Sequence, residues 1–294
     1  MEVLTYRPDP AEFAWTFGGV PPVRRVRPGS ILELWTEDAF GGRVRGPDDL
    51  VSRVVEFPFV NPQTGPFYVE GAEPGDTLAV HFVSIEPSVT FRARRGELVV
   101  ELPLDPMHGT VGVAPASFEA RSSLVPDAHG GNMDTPEMRA GVTCYLGVNV
   151  EGALLSIGDG HCRQGEGESC GVAVEAAMDT VIAVDLVKGM AAPWPRLESD
   201  THMMSTGSAR PLEDAFRISQ VDLVQWLQEG WGLDPLDAYQ LLTQAAEAPV
   251  ANVVDPNYTF VSKLRKDLLP AQELYRGTHG RLRQLGRDYL AGKG

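Results

Sequence analysis

Period-two hydrophobic runs, each opened by a Pro-Gly turn, constrain this chain more than any other feature. In VRPGSILELW, Pro28-Gly29 forms a turn, and Leu32 and Leu34 of the following strand face away from Ile31, Glu33 and Trp35. EPGDTLAVHFVSIEP repeats the device. Pro74-Gly75-Asp76 turns the chain, then Leu78, Val80, Phe82 and Ser84 share one side while Thr77 and His81 share the other. The chain holds 31 Gly and 23 Pro in 294 residues, above the usual ~12%, so such turns recur and a β-rich fold follows. GVTCYLGVNV-EG-ALLSIGDGH predicts a hairpin, with strands 142–150 and 153–161 about Glu151-Gly152. GVAVEAAMDTVIAVDLV predicts a further strand or strand pair, interrupted near Met178-Asp179, and Pro193 and Pro195 end the β-rich part. No repeat of fixed period occurs.

From residue 211 the period becomes helical. PLEDAFRISQVDLVQWLQEG places Leu212, Ala215, Phe216, Leu223, Val224 and Leu227 on one stripe. DPLDAYQLLTQAAE offers Asp234 as an N-cap, Pro235 at the first helical position and Asp237 in the first turn. A third helical stretch follows Pro270, weakened by Gly277, Gly280 and Gly286. The expectation is a β-rich α+β chain with a jelly-roll or sandwich-like β core and a smaller helical C-terminal part. Three segments are expected: an N-terminal β domain over 1–125, a central β segment carrying the chemistry over 126–200, and an α+β segment over 201–294. The last ends in a basic helical tail, since residues 259–294 carry eight Lys or Arg against three acids. That tail either docks on an acidic neighbouring surface, another subunit included, or is a solvated helix with a frayed end. The exposed helical C-terminus suggests a homo-oligomer, a dimer first.

Charge narrows the partners. With 25 Lys plus Arg against 40 Asp plus Glu, the net charge is −15, which repels polyanions and argues against nucleic acid. No apolar run reaches the ~18 residues of a membrane span, and MEVLTYRPDP has neither the charged nor the apolar region of a secretory signal. Cys144, Cys162 and Cys170 are too few, and odd in number, for a disulfide framework, so a cytoplasmic protein with reduced thiols is expected.

The chemistry concentrates in residues 127–175, which hold two of the six histidines, eight acids and only two arginines. Glycine is dense there, at an entropic cost that sharp turns or close approach to a ligand would explain. Asp159-Gly160-His161 lies at a strand end, where residues i and i+2 point to one side. A carboxylate and an imidazole then converge, either on a divalent metal or simply on each other. His129-Gly130-Gly131-Asn132-Met133-Asp134 supplies an imidazole, an amide and a carboxylate, or equally a tight turn with local caps. Gln164-Gly165-Glu166-Gly167-Glu168 could add a metal ligand or a general base, against the default of exposed loop acids. Cys162 and Cys170 flank that loop without any Cys-His signature of a nucleophile. His81 reads as a satisfied strand residue, and His108 as a possible lining of the same cleft. No P-loop, dinucleotide fingerprint or G-x-S-x-G elbow occurs.

HGGNMDT at 129–135, AGVTCYL, and GALLSIGDGHCRQGEGESCG at 152–171 followed by Glu175 resemble the acetamidase/formamidase family. Its members carry a Gly-Gly-Asn-φ-Asp loop (φ apolar), then Gly-Asp-x-His and Gln-Gly-(Asp/Glu)-Gly-Glu. TEDAFGG at 36–42, TGPFYVEGAEPGDTL at 64–78, GTVGVAP at 109–115, LEDAFRISQVDLVQWL and VVDPNYTFVSKL extend the likeness from about residue 15 to about 270. Three departures stand out. Asn61-Pro62 replaces a frequent His-Pro, so that histidine's role is absent; Glu166 stands where Asp is usual; and Arg265-Lys266 stands where Pro-Lys is common.

The resemblance implies a β-rich fold and hydrolysis of short-chain aliphatic amides, formamide- or acetamide-like, to ammonia and a carboxylate. An amide is a poor electrophile, and a divalent cation both polarises its carbonyl and lowers the pKa of water from ~15.7 towards ~7. The expected ligands are Asp134, Asp159 and His161, with zinc first and calcium or magnesium as alternatives. Glu168 is the expected general base. Glu175 is a second catalytic candidate that could replace one of the ligands. His129, Asn132 and Gln164 are expected to orient the carboxamide of a small neutral amide. Two other readings stand beside this one: the same carboxylates acting without metal against a Lys or backbone oxyanion hole, and a jelly-roll module that binds a sugar or Ca²⁺ without hydrolysis.

Overall fold

The computed structural model describes residues 2–46, 48–88 and 100–293. Its largest sheet has nine strands. In spatial order these are β1 (Val3–Tyr6), β4 (Ser30–Thr36), β12 (Met178–Val187), β6 (Thr77–Pro87), β10 (Thr143–Gly147), β13 (Arg196–Glu198), β14 (His202–Ala209), β16 (Tyr258–Arg265) and β15 (Val250–Asn252). A five-stranded sheet follows the order β3 (Arg24–Val26), β5 (Gln63–Val69), β11 (Ala153–His161), β7 (Met107–Gly112) and β9 (Gly130–Asn132). A short pair joins β2 (Thr16–Phe17) to β8 (Arg121–Ser122). All three of the expected segments contribute strands to the nine-stranded sheet.

The two larger sheets pack face to face. Leu32, Leu34, Val80, Phe82, Cys144, Leu146, Ile182 and Val184 from one meet Phe67, Val111, Leu155 and Ile157 from the other in a single core. After the one-turn helix α1 (Val51–Val54), three longer helices, α2 (Leu212–Trp231), α3 (Pro235–Ala245) and α4 (Thr278–Ala291), cover Ile31, Ala79, Tyr145 and Ala183 on the outer face of the nine-stranded sheet with Trp226, Leu227, Leu242 and Leu282. The sandwich therefore has a helical third layer, because β4, β12 and β6 are apolar on both faces and must be buried on both. Arg196 on β13 crosses this layer to a bidentate contact with Asp222 of α2, at 2.9 and 3.0 Å. Asp234 caps α3 as expected, its side chain accepting from the Leu236 amide at 2.9 Å.

The expected hairpin does not form. Its first strand, β10, lies between β6 and β13 in the large sheet, whereas the second, β11, lies between β5 and β7 in the small one. The Glu151-Gly152 turn crosses between sheets instead of along one. Cys144 and Leu146 then oppose Leu155 and Ile157 across the core. Two strongly apolar strands bury more surface stacked than side by side, and bulges at the start of β11 re-aim it.

The basic tail docks in cis. Arg281 approaches Asp185 at 3.5 Å, Arg283 pairs with Asp200, and Lys293 and Tyr289 both reach Glu33. The acidic neighbouring surface is this chain's own.

Candidate active site

At its far end β11 delivers Asp159 and His161. Asp159 has φ 57°, so the strand is irregular there, yet its Oδ1 lies 3.3 Å from His161 Nε2. Glu175 Oε2 lies at the same 3.3 Å from that nitrogen, held by a bridge between the backbones of residues 161 and 175. The opposite ring nitrogen decides the tautomer. His161 Nδ1 is 2.9 Å from Gln164 Oε1, and the Gln164 amide nitrogen donates to the carbonyls of Asp134 at 2.5 Å and Ala251 at 3.1 Å. The Gln164 oxygen can therefore only accept, Nδ1 carries a proton, and Nε2 is turned toward the carboxylates.

The other wall comes from the loop after β9. Asp134, at φ 45°, accepts from Asn132 Nδ2 at 2.7 Å through one oxygen, while the other has no partner. Asn132 also donates to Asp255 at 2.8 Å and accepts from Asn61 at 2.8 Å and from the Thr110 hydroxyl. Asn61 further donates to Asp159 Oδ2 at 2.9 Å. Two sets of donors, Asp134–His161–Glu168 and Asp159–His161–Glu175, each bring three ligand atoms within 4.8 Å of one another, with His161 common to both. Gly109 on β7 makes room for them. A Cβ at that position would lie 2.2 Å from Asp134 Oδ1 and 2.5 Å from Asp159 Oδ2.

Burial dominates the electrostatics. It raises the Glu168 carboxyl to about 8 and Asp255 to about 7, and it holds Asp134 well above the ordinary range, with Asp255 adding to the effect. Glu175 is raised too, against the pull of His161. Asp159 is lowered, since His161 outweighs its burial, and His161 is raised despite its own burial because Glu175 and Asp159 face it. So many acids around one imidazole are costly without a cation. Asp134 Oδ1, which has no hydrogen bond, and Glu175 Oε2, which only faces His161 Nε2 at 3.3 Å, are the atoms a cation would engage. The residues present thus fit a divalent ion with one nitrogen and several oxygen donors.

A pocket opens over this floor, lined there by Asn61, Asn132, Asp159, Glu168, Glu175 and Asp255. Not every expected residue reaches it. Asn132 does, although its amide is fully engaged with protein partners, and Gln164 stands behind His161. His129 instead packs edge-on to Phe17, 5.1 Å between ring centres, with neither ring nitrogen bonded. His108 lies beneath the floor, between the Gly158 carbonyl at 2.9 Å and the Thr180 hydroxyl at 2.7 Å, so it does not line the cleft. Cys144 and Cys162 are buried with thiols pushed up by burial, and no lysine lines the pocket among the described residues. Asn61 and Asp255 join the site without a sequence signal of their own: Asn61 stands out only as a departure from a motif, and Asp255 only as part of VVDPNYTFVSKL.

The sequence model of the Acetamidase/Formamidase family matches residues 14–98 and 101–268. The chain belongs to the acetamidase/formamidase family. Among solved structures, this family member resembles an acetamidase from Yersinia enterocolitica with a TM-score of 0.85 and 36% identity, over 92% of this chain and 93% of the other. An acetamidase from Bacillus halodurans follows at 0.80 and 28%, over 90% and 98%. A formamidase of Methylophilus methylotrophus is 40% identical over 75 residues, 25% of this chain, and the match spans only 18% of that curated relative.

Proposed function

We propose that this protein is a metal-dependent amidase that hydrolyses linear carboxamides, R–CO–NH₂ plus water giving R–COO⁻ and NH₄⁺. The observation that carries the reading is the arrangement about His161, whose Nδ1 lies 2.9 Å from Gln164 Oε1 while Nε2 lies 3.3 Å from both Asp159 and Glu175. That is how a histidine is prepared to ligate a cation. Asp159, His161 and Glu175 would hold it, and an imidazole among carboxylates suits zinc better than calcium or magnesium. Bound there, the cation supplies Lewis acidity toward the amide carbonyl and toward water. Glu168 lines the pocket with its carboxyl raised to about 8, which suits a group that takes a proton from water and returns it to the leaving nitrogen near neutral pH. Asp134, expected above as a ligand, belongs with Glu168 to the alternative donor set.

Two variants separate the roles. Purified protein should contain stoichiometric divalent ion, and Asp159→Ala with His161→Ala should lose both ion and ammonia release from simple amides. Glu168→Gln should keep the ion and lose activity; loss of the ion as well would make Glu168 a ligand. Full amide hydrolysis by metal-free protein would sink the metal mechanism. The reading includes a cytoplasmic homodimer, supported by three free cysteines and by exposed Phe216, Val221, Leu236 and Tyr239 on α2 and α3. Sedimentation at micromolar concentration tests the dimer.

A further inference from the structure

The pocket is far larger than its expected substrates. Its volume is about 460 Å³, within the ~300–1,000 Å³ of cavities that take drug-sized molecules, whereas acetamide has four heavy atoms. Asn61, Asn132, Asp159, Glu168 and Glu175 are its buried lining, and Val55, Leu124, Val172, Val254 and Pro256, all nearer to solvent, form the walls. Among the described residues one cation reaches the pocket, Arg210, but its guanidinium already donates to the backbone carbonyls of Val254 and Asp255 and lies 4.3 Å over the Tyr258 ring. The walls therefore present apolar surface to a substituent, and the acidic floor repels a substrate anion. A formamide or acetamide held at the floor would leave these walls facing water.

We infer that the substrates are primary amides bearing an uncharged apolar substituent of about four to seven carbons, straight-chain or phenyl, with the carboxamide at the floor and the substituent against the walls. The inference rests on the amidase reading above and narrows its substrate class. Each methylene withdrawn from water favours binding about three- to fourfold. Between acetamide and hexanamide, kcat/KM should thus rise on the order of 100-fold.

The test is ammonia release by the metal-loaded enzyme from formamide, acetamide, propionamide, butyramide, hexanamide, benzamide and succinamate. A rise through hexanamide or benzamide supports the inference. A maximum at formamide, acetamide or propionamide overturns it and leaves the amidase reading standing. A maximum at succinamate also overturns it and makes Arg210 an anchor for a carboxylate. No ammonia from any of them overturns both. Val172→Trp, which fills the wall, should lower the hexanamide-to-acetamide ratio of kcat/KM at least tenfold; an unchanged ratio counts against the inference. Thermal protection of the inactive Glu168→Gln variant by hexanamide and by acetamide, compared at equal concentration, reads the same preference without turnover. Equal protection by the two would overturn it.

Discussion

At the scale of single residues, the site depends on groups whose hydrogen bonds go to other residues of the site. Asn61 donates from one amide nitrogen to Asn132 Oδ1 at 2.8 Å and to Asp159 Oδ2 at 2.9 Å, and so ties an amide and a carboxylate of the pocket floor together. Asn61→Asp keeps the shape and replaces that donor with a second carboxylate facing Asp159. Partners behind a ligand are worth about 10- to 100-fold, so kcat/KM should fall by that much, and a change below twofold would show that these bonds are idle. His129 offers a test of another kind. Burial lowers its pKa to about 4 from 6.5, so its contribution to stability is present above pH 6.5 and lost as pH falls toward 4. Both its nitrogens lack partners, so His129→Leu removes a titrating group without breaking a hydrogen bond. Between pH 7 and pH 5 the native protein should lose about 2 kcal/mol relative to this variant. Parallel denaturant midpoints for the two proteins across that range would refute the assignment.

Among elements, β7 does the least visible work. Its Gly109 faces the ligand cluster, and an added methyl would sit 2.2 Å from Asp134 and 2.5 Å from Asp159. Gly109→Ala should leave the circular dichroism spectrum intact while displacing the carboxylates by about 1 Å, a misplacement that costs on the order of 100-fold in rate. Retention of a tenth or more of the native kcat/KM would contradict this crowding. What could be read from sequence follows the same division. The cap of α3 was legible because Asp234 and the amide it binds are two residues apart. The Asp159–His161 pair was legible because strand geometry relates i to i+2 even where the backbone departs from regularity. The hairpin was misread because alternation states that a strand has a buried face, not which strand will lie beside it. Asn61 and Asp255 were illegible for a related reason: Asn61 meets Asp159 98 positions away, and Asp255 meets Asn132 123 positions away. Nothing local marks such meetings.

For the molecule as a whole, the net charge of −15 divides into two functions. Part of it is gathered at the pocket floor, and part forms the surface on which the basic tail lies. Charge draws the tail in, but Leu282, 2% exposed in the outer core, holds it. Leu282→Ala should cost about 2–5 kcal/mol in denaturant unfolding. Lys293→Glu, which reverses the charge facing Glu33 at the solvent-exposed end of the tail, should shift the denaturant midpoint far less. The opposite order would mean that the tail is held electrostatically.

The wide separation of Asn61, Asn132, Asp159 and Asp255 along the chain also sets a timetable. A ribosome adds ~5–20 residues each second, and the floor of the pocket stays open until Asn252 and Asp255 have emerged and β15 has joined β16. A chain that ends before Asn252 lacks both β15 and the Asp255 carboxylate, so the floor of the pocket is among the last parts of the fold that synthesis can complete.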